Sequence, residues 1–149
     1  MTILSSHEIK RFGIKPRVAL VSHSNFGSRD SDSAFKMREA LGIVRELDPE
    51  LEVDGEMHGD SALSVAARNK VMPNSTLTDR ANLLVFPSLD AANISLNIAK
   101  VMTDGLHVGP ILLGAAQPVH ILAPFVTSRG VVNMTALAAV EALQEGSKA

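Results

Sequence analysis

From Arg17 the chain runs R-V-A-L-V-S, short, apolar and rich in valine, then turns polar in H-S-N-F-G-S-R-D-S-D-S. A continuous apolar run of this length, bounded by small polar residues, predicts a buried strand ending in an open loop. Asp30, Ser31, Asp32 and Ser33 are each suited to cap a following helix. The stretch A-F-K-M-R-E-A-L-G-I-V-R-E-L supplies one, with Met37, Leu41, Val44 and Leu47 on one face and Asp48-Pro49 as its stop. Residues 51–57, L-E-V-D-G-E-M, predict a second short strand with a turn at Asp54-Gly55. Asp60-Ser61 open a helix over A-L-S-V-A-A-R-N-K, and a polar loop follows. N-L-L-V-F-P (82–87) predicts a third strand. The helix after it, L-D-A-A-N-I-S-L-N-I-A-K-V-M-T-D, carries Ile94, Ile98 and Val101 in a stripe, with Gly105 suited to its C-cap.

Beyond that point the pattern is less regular. H-V-G-P-I-L-L-G reads as a strand or a tight loop, and P-V-H-I-L as a strand. A last helix is expected from near Val131 to about Leu143, with Val132, Ala136, Ala139, Val140 and Leu143 on one face. The alternation of strands and helices predicts an α/β fold with a mainly parallel sheet flanked by helices. Residues 1–16 are expected to be a helix end or linker, 17–143 the α/β domain, and 144–149 a frayed tail. In such sheets ligands bind beyond the carboxyl ends of the strands. Three polar loops follow strand candidates here: 22–33, 87–90 and 123–130.

Composition narrows the function classes. The chain has 149 residues, 46% hydrophobic and 20% charged, which suits one globular domain. A net charge of -2 and an aromatic content of 3% argue against a nucleic-acid partner or a base-stacking surface. The absence of cysteine rules out disulfides and thiolate chemistry and fits a reducing cytoplasm. M-T-I-L-S-S-H-E-I-K-R-F-G lacks the layout of a signal peptide, and no apolar run approaches membrane-spanning length. The five histidines form no H-x-x-x-H pair, so no metal site is expected. His120, inside an apolar run, reads as a hydrogen-bonded core histidine.

The loop Ser22, His23, Ser24, Asn25, Phe26, Gly27, Ser28 is the leading candidate site. It offers hydroxyls, an amide and an imidazole after a buried strand, and its backbone amides, next to a helix N-terminus, could hold phosphate. A polar strand-to-helix turn would look the same. It matches neither G-x-x-x-x-G-K-[ST] nor G-x-S-x-G. Pro73-Asn74-Ser75 is a turn signal. Gly109, Pro110, Leu112 and Gly114 lie in a stretch where glycine could admit a ligand close to the backbone or simply serve a tight turn. Ser128-Arg129-Gly130 resembles a nucleophile beside an anion clamp. Ser128 has no neighbouring histidine and no acid on the next helical turn, and a serine without a base is a poor nucleophile. Arg129 suits an anion contact and equally an exposed surface.

Four strings, K-P-R-V-A-L-V-S-H-S-N-F-G-S, D-G-E-M-H-G-D-S-A-L, P-N-S-T-L-T-D-R-A-N-L-L-V-F-P-S-L-D-A-A-N-I and V-G-P-I-L-L-G-A-A-Q-P-V-H-I-L, stand in the order of the phosphate acetyltransferase/butyryltransferase family. The resemblance covers roughly residues 8–143. It is most similar to the transferase-like domain at the C-terminus of bacterial NADP-dependent malic enzymes. The resemblance implies two α/β subdomains with coenzyme A between them, this chain matching the second subdomain plus the last helix of the first. It also implies an acetyl-CoA or other acyl-CoA ligand, a homo-oligomer and a covalently linked malic enzyme domain. NADP and a divalent metal belong only to that linked domain, so no cofactor is expected in this one. Acyl-CoA contacts are expected at Ser22, His23, Ser24, Asn25, Gly27, Ser28, Asn74, Ser75, Gly109, Pro110, Leu112, Gly114 and Arg129. Active members carry Leu-Ser-Arg-Gly, then an acidic pair, then the last helix. With Leu122 and Val131-Val132 fixing the register, the family serine falls on Ala123, its arginine on Pro124 and its acidic pair on Arg129-Gly130. Aligning Ser128-Arg129-Gly130 with the family motif instead deletes the acidic pair. Both registers lack the general base, which predicts a domain that senses acyl-CoA without turning it over. An active phosphate acyltransferase using Ser128 and Arg129 is the alternative.

Overall fold

Strand β1, Arg17–Val21, is the centre of the sheet. In the computed structural model, which describes residues 1–103, 105 and 107–146, it pairs in parallel with β2 (Glu52–Met57) on one side and β3 (Leu83–Val85) on the other. A parallel strand flanked on both edges and covered on both faces must be apolar throughout, and Val18, Ala19, Leu20 and Val21 are all buried. The β1–β2 register runs from Arg17 opposite Glu52 to Leu20 opposite Gly55, then slips so that Val21 faces Met57. Glu56 is the extra residue of this bulge. The turn expected at Asp54-Gly55 is not formed, because β2 runs through it. Gly55 (φ +148°) lies so close to β1 that a Cβ there would sit 2.6 Å from the Leu20 carbonyl oxygen. Its glycine serves strand packing, not chain reversal.

The described residues form six helices: α1 (Thr2–Arg11), α2 (Asp32–Leu47), α3 (Gly59–Leu63), α4 (Val65–Val71), α5 (Leu89–Met102) and α6 (Ser128–Gly146). Successive β1 side chains point to opposite faces. Val18 and Leu20 join Met37, Leu41, Val44, Leu51 and Val53 on the α2 face, with Ile3 of α1 packed against them. Ala19 and Val21 join Met57, Ala62, Leu77 and Ala81 on the other. Ser31 is the α2 cap, its hydroxyl accepting from the Ala34 amide at 3.2 Å. Leu47, predicted on the same stripe as Met37, Leu41 and Val44, is exposed at the last residue of α2. The helix expected over residues 60–70 is broken at Ser64, whose extended backbone ends α3 and whose hydroxyl caps α4 from the Ala67 amide.

Contact density divides the chain into two compact units, Met1–Ala99 and Lys100–Ala149. The predicted stripe of α5 is not a buried face: Ile94, Ile98 and Val101 are exposed. α5 ends at Met102, ahead of Gly105, and Asp104 lies outside the described residues. The described residues of 107–127 hold no strand, so P-V-H-I-L is not one. Apolar runs become strands only when a neighbouring edge completes their ladder, and Pro110 and Pro118 have no amide to donate. α6 starts at Ser128, three residues before the expected Val131, because Thr127 caps it with a hydroxyl 3.1 Å from the Gly130 amide. It runs on to Gly146, so the expected fraying does not begin at Gln144, and residues 147–149 lie outside the described residues. Its buried positions are Met134 and Glu141, with Leu137 and Ala138 half-buried between them. The predicted face of Val132, Ala136, Ala139, Val140 and Leu143 is turned out: all five are exposed. Hydrophobicity alone selected the wrong side because the inward side carries a carboxylate.

Candidate functional site

The loop after β1 is built around a buried anion. The Ser22 amide extends the ladder, donating to the Met57 carbonyl at 2.8 Å. The chain then reverses through Phe26 (φ 49°) and Gly27 (φ 86°), both left-handed. Glu56, the bulged residue of β2 and only 1% exposed, lies beneath this reversal. Its Oε1 accepts the Ser24 hydroxyl at 2.6 Å and the Gly27 amide at 2.9 Å, and its backbone carbonyl accepts the Phe26 amide at 2.7 Å. Arg38 of α2 places Nε 3.8 Å from Glu56 Oε2 and donates to Asp30 at 2.9 Å, while its guanidinium lies over the Phe35 ring at 4.7 Å.

Asn25 ties the loop to the end of β2. Its Oδ1 accepts the His58 amide at 2.9 Å, its Nδ2 donates to Ser61 Oγ at 3.2 Å, and its own amide donates to Ser28 Oγ at 2.9 Å. His58 Nε2 is 2.8 Å from the His23 carbonyl, which can only accept, so that nitrogen carries the proton. Ser22 Oγ accepts the Ser24 amide at 3.2 Å, and His23 Nδ1 is 3.5 Å from Ser33 Oγ. The expectation that this loop offers its amides to a phosphate changes accordingly. The Gly27 amide and the Ser24 hydroxyl already serve a resident carboxylate. His23, Gly27, Ser28 and Arg29 form the exposed surface of the loop.

Ser75 sits in a different hydrogen-bonded group. Ser75 Oγ donates to Asp54 Oδ2 at 2.7 Å, and the Thr76 amide donates to the same oxygen at 2.9 Å. Arg45 contacts Asp54 Oδ1 at 3.1 Å. Asn74 is exposed at the tip. The wholly buried Arg68 of α4 holds this loop, donating to the carbonyls of Ser61 (3.1 Å), Leu77 (3.1 Å) and Asp79 (2.9 Å). Sequence reasoning missed Glu56, Arg38 and Arg68. Glu56 did leave a signal: a carboxylate inside a strand that is otherwise buried needs fixed donors.

In the second unit, Gly109 (φ 129°) and Gly114 (φ 84°) bracket Pro110 and Leu112 in backbone that L side chains disfavour. The Leu112 amide points at His120 Nδ1 at 3.4 Å, and His120 Nε2 lies 3.1 Å from Glu141 Oε2 with side-chain exposures of 4% and 9%. The carboxylate lies off the ring N–H direction, so the contact is electrostatic more than a directed hydrogen bond. The His120 side chain is thus buried, with Nδ1 accepting from the Leu112 amide and Nε2 beside a carboxylate without a directed hydrogen bond. Ser128 and Arg129 occupy the first turn of α6, both exposed, with no acidic residue in that turn. Among the described residues no three His, Asp or Glu converge as metal ligands, and no helix is long and apolar enough to cross a membrane.

The sequence profile described as phosphate acetyl/butaryl transferase matches residues 1–139. The chain is 73% identical over 140 residues to the NAD-dependent malic enzyme of Rhizobium meliloti, covering 94% of this chain and 18% of that protein. It is 55% identical over 143 residues to the NADP-dependent malic enzyme of Escherichia coli, covering 95% and 19%. A phosphotransacetylase structure from Streptococcus pyogenes superposes with a TM-score of 0.89 at 32% identity, over 96% of this chain and 44% of that one. The chain therefore spans about a fifth of the malic enzymes and less than half of the transacetylase. With its three-stranded parallel sheet between helices and a family match over nearly its whole length, the chain belongs to the phosphate acetyl/butaryl transferase family.

Proposed function

We propose that this chain is the acyl-CoA-binding regulatory and oligomerisation domain of a malic enzyme, a transferase fold that binds acetyl-CoA or a related acyl-CoA without turning it over. The observation that carries the reading is the 122–132 stretch. In the gap-free register Ala123 and Pro124 stand where the resemblance implies a serine and an arginine, and Arg129-Gly130 where it implies the acidic pair. The absence of an acid from the first turn of α6 supports the same reading. Acyl transfer to coenzyme A needs a base for the thiol proton, a cation for phosphate and a donor for the tetrahedral oxyanion. Each such group contributes about 10²–10⁴-fold, so losing the base and moving the arginine costs several orders of magnitude.

Ligand binding would report carbon status to the linked catalytic domain by its differential affinity for two assembly states of a cytoplasmic homo-oligomer. The similarity to malic enzymes named for NAD and for NADP supports the linkage without fixing the nicotinamide cofactor. Calorimetry with acetyl-CoA on the full-length chain tests the reading, alongside a coupled assay of acetyl phosphate formation. Binding without turnover is the expected result. Turnover at ordinary enzyme rates, abolished by Arg129→Ala, would establish the second reading, an active phosphate acyltransferase. That reading is favoured only by the adjacent, exposed Ser128 and Arg129.

A further inference from the structure

We infer that Glu56 is a positioning residue for the 22–28 loop, serving as an internal anion that sets the conformation in which the loop meets its ligand. The ligand part of this inference rests on the acyl-CoA reading above. The loop-setting part does not.

A carboxylate exposed by only 1% is costly unless donors surround it. Here the donors come from the loop. The Ser24 hydroxyl at 2.6 Å has the short length of a charge-assisted bond, and the Gly27 amide converges on the same oxygen at 2.9 Å. Between these two contacts lie Asn25 and Phe26, so a single oxygen closes a turn of four residues. That turn contains Phe26 and Gly27 at positive φ in succession, a shape that a phenylalanine does not adopt without support. The Phe26 amide is held by the Glu56 backbone carbonyl at 2.7 Å, so one residue fixes the turn from both its main chain and its side chain. The bulge in β2 is what turns the Glu56 carboxylate toward the loop. With the Ser24 hydroxyl and the Gly27 amide directed inward, the His23 and Ser28 side chains are left on the outward side. Glu56 therefore decides which groups of the loop a ligand meets, without meeting the ligand itself.

The test uses the full-length chain with Glu56→Gln, Glu56→Ala and Ser24→Ala, measured at a temperature where each is folded. Gln keeps an oxygen that accepts both donors, whereas Ala leaves the Gly27 amide unpaired and the Ser24 hydroxyl with only the Arg29 carbonyl at 3.2 Å to accept its proton. Amide hydrogen exchange at Phe26 and Gly27 should speed up by about tenfold or more in Glu56→Ala and stay within about threefold of the parent in Glu56→Gln. Acetyl-CoA affinity by calorimetry should follow the same order, weakening about tenfold or more in Glu56→Ala with rescue in Glu56→Gln. Should Glu56→Ala fail to fold, Ser24→Ala removes one donor and should loosen the loop and weaken binding in the same direction. Unchanged exchange at Phe26 and Gly27 in the alanine variants overturns the inference. A loosened loop with unchanged acetyl-CoA affinity overturns it equally, since Glu56 would then be structural only. A parent chain that gives no heat with acetyl-CoA defeats the acyl-CoA reading, while the exchange result still decides whether Glu56 sets the loop.

Discussion

Replacing Arg68 with methionine should be among the most damaging single changes in the first unit. The guanidinium is wholly buried and donates to the carbonyls of Ser61, Leu77 and Asp79 at 3.1, 3.1 and 2.9 Å. Methionine matches most of the side-chain volume, so the cost comes from hydrogen bonds and not from a cavity. Ser61 and Leu77 are buried residues, whereas Asp79 is exposed, so the loss is counted on the first two carbonyls. Two buried acceptors left unsatisfied at about 1–3 kcal/mol each give a loss of about 2–6 kcal/mol. That is a large fraction of the roughly 5–15 kcal/mol that holds a typical domain together. Urea unfolding reads it directly: with a slope of about 2 kcal/mol per molar, the midpoint should fall by about 1–3 M. Arg68→Lys should fall between, because one ammonium cannot span three carbonyls in fixed directions. A midpoint within about 0.3 M of the parent for Arg68→Met would refute the reasoning, since it would mean that the carbonyls regain partners at little cost.

Other outcomes follow from the same geometry. Gly55→Ala should destabilise by about 3 kcal/mol or more, from the positive φ and the 2.6 Å approach to Leu20, and should lower the thermal midpoint clearly. Thr127→Ala should cost about 1 kcal/mol by removing the α6 cap, read as faster amide exchange at Gly130. Burial pushes the Glu52 carboxyl up, but hydrogen bonds from the Thr78 amide and hydroxyl and the nearby Lys15 outweigh it and hold the group below its ordinary value. Its stabilisation is present above the unfolded-state pKa and is lost as pH falls through the lower folded-state value. Stability measured against pH should therefore lose part of its acid-limb slope in Glu52→Gln.

The first half of the chain was readable because its local signals and its packing agree. V-A-L-V (18–21) is apolar at every position, as a central parallel strand must be, and a cluster of capping residues introduces α2. Where the two disagree, the sequence misled. Asp54-Gly55 has the composition of a turn, yet the glycine is demanded by a neighbouring strand that no local pattern reveals. P-V-H-I-L has the composition of a strand but no ladder partner among the described residues. On α6 the inward side includes Glu141, facing His120, so a search for apolar periodicity chose the opposite side. The site shows the same limit. The polarity of residues 22–28 marked the loop, but only the fold reveals that Ser24, Asn25 and Gly27 are engaged by Glu56, His58 and Ser61.

The central place of β1 also orders how the sheet can form. β2 and β3 never touch, so neither can serve as a template for the other. Arg17 meets Glu52 about 35 residues downstream and Val18 meets Leu83 about 65 downstream, so the second closure carries an entropy cost larger by about 0.6 kcal/mol. On a ribosome β2 also emerges first. The β1–β2 pair, bulge and Glu56 included, is then free to form before β3 joins, so the 22–28 loop takes its shape on two strands while the third is still to be added.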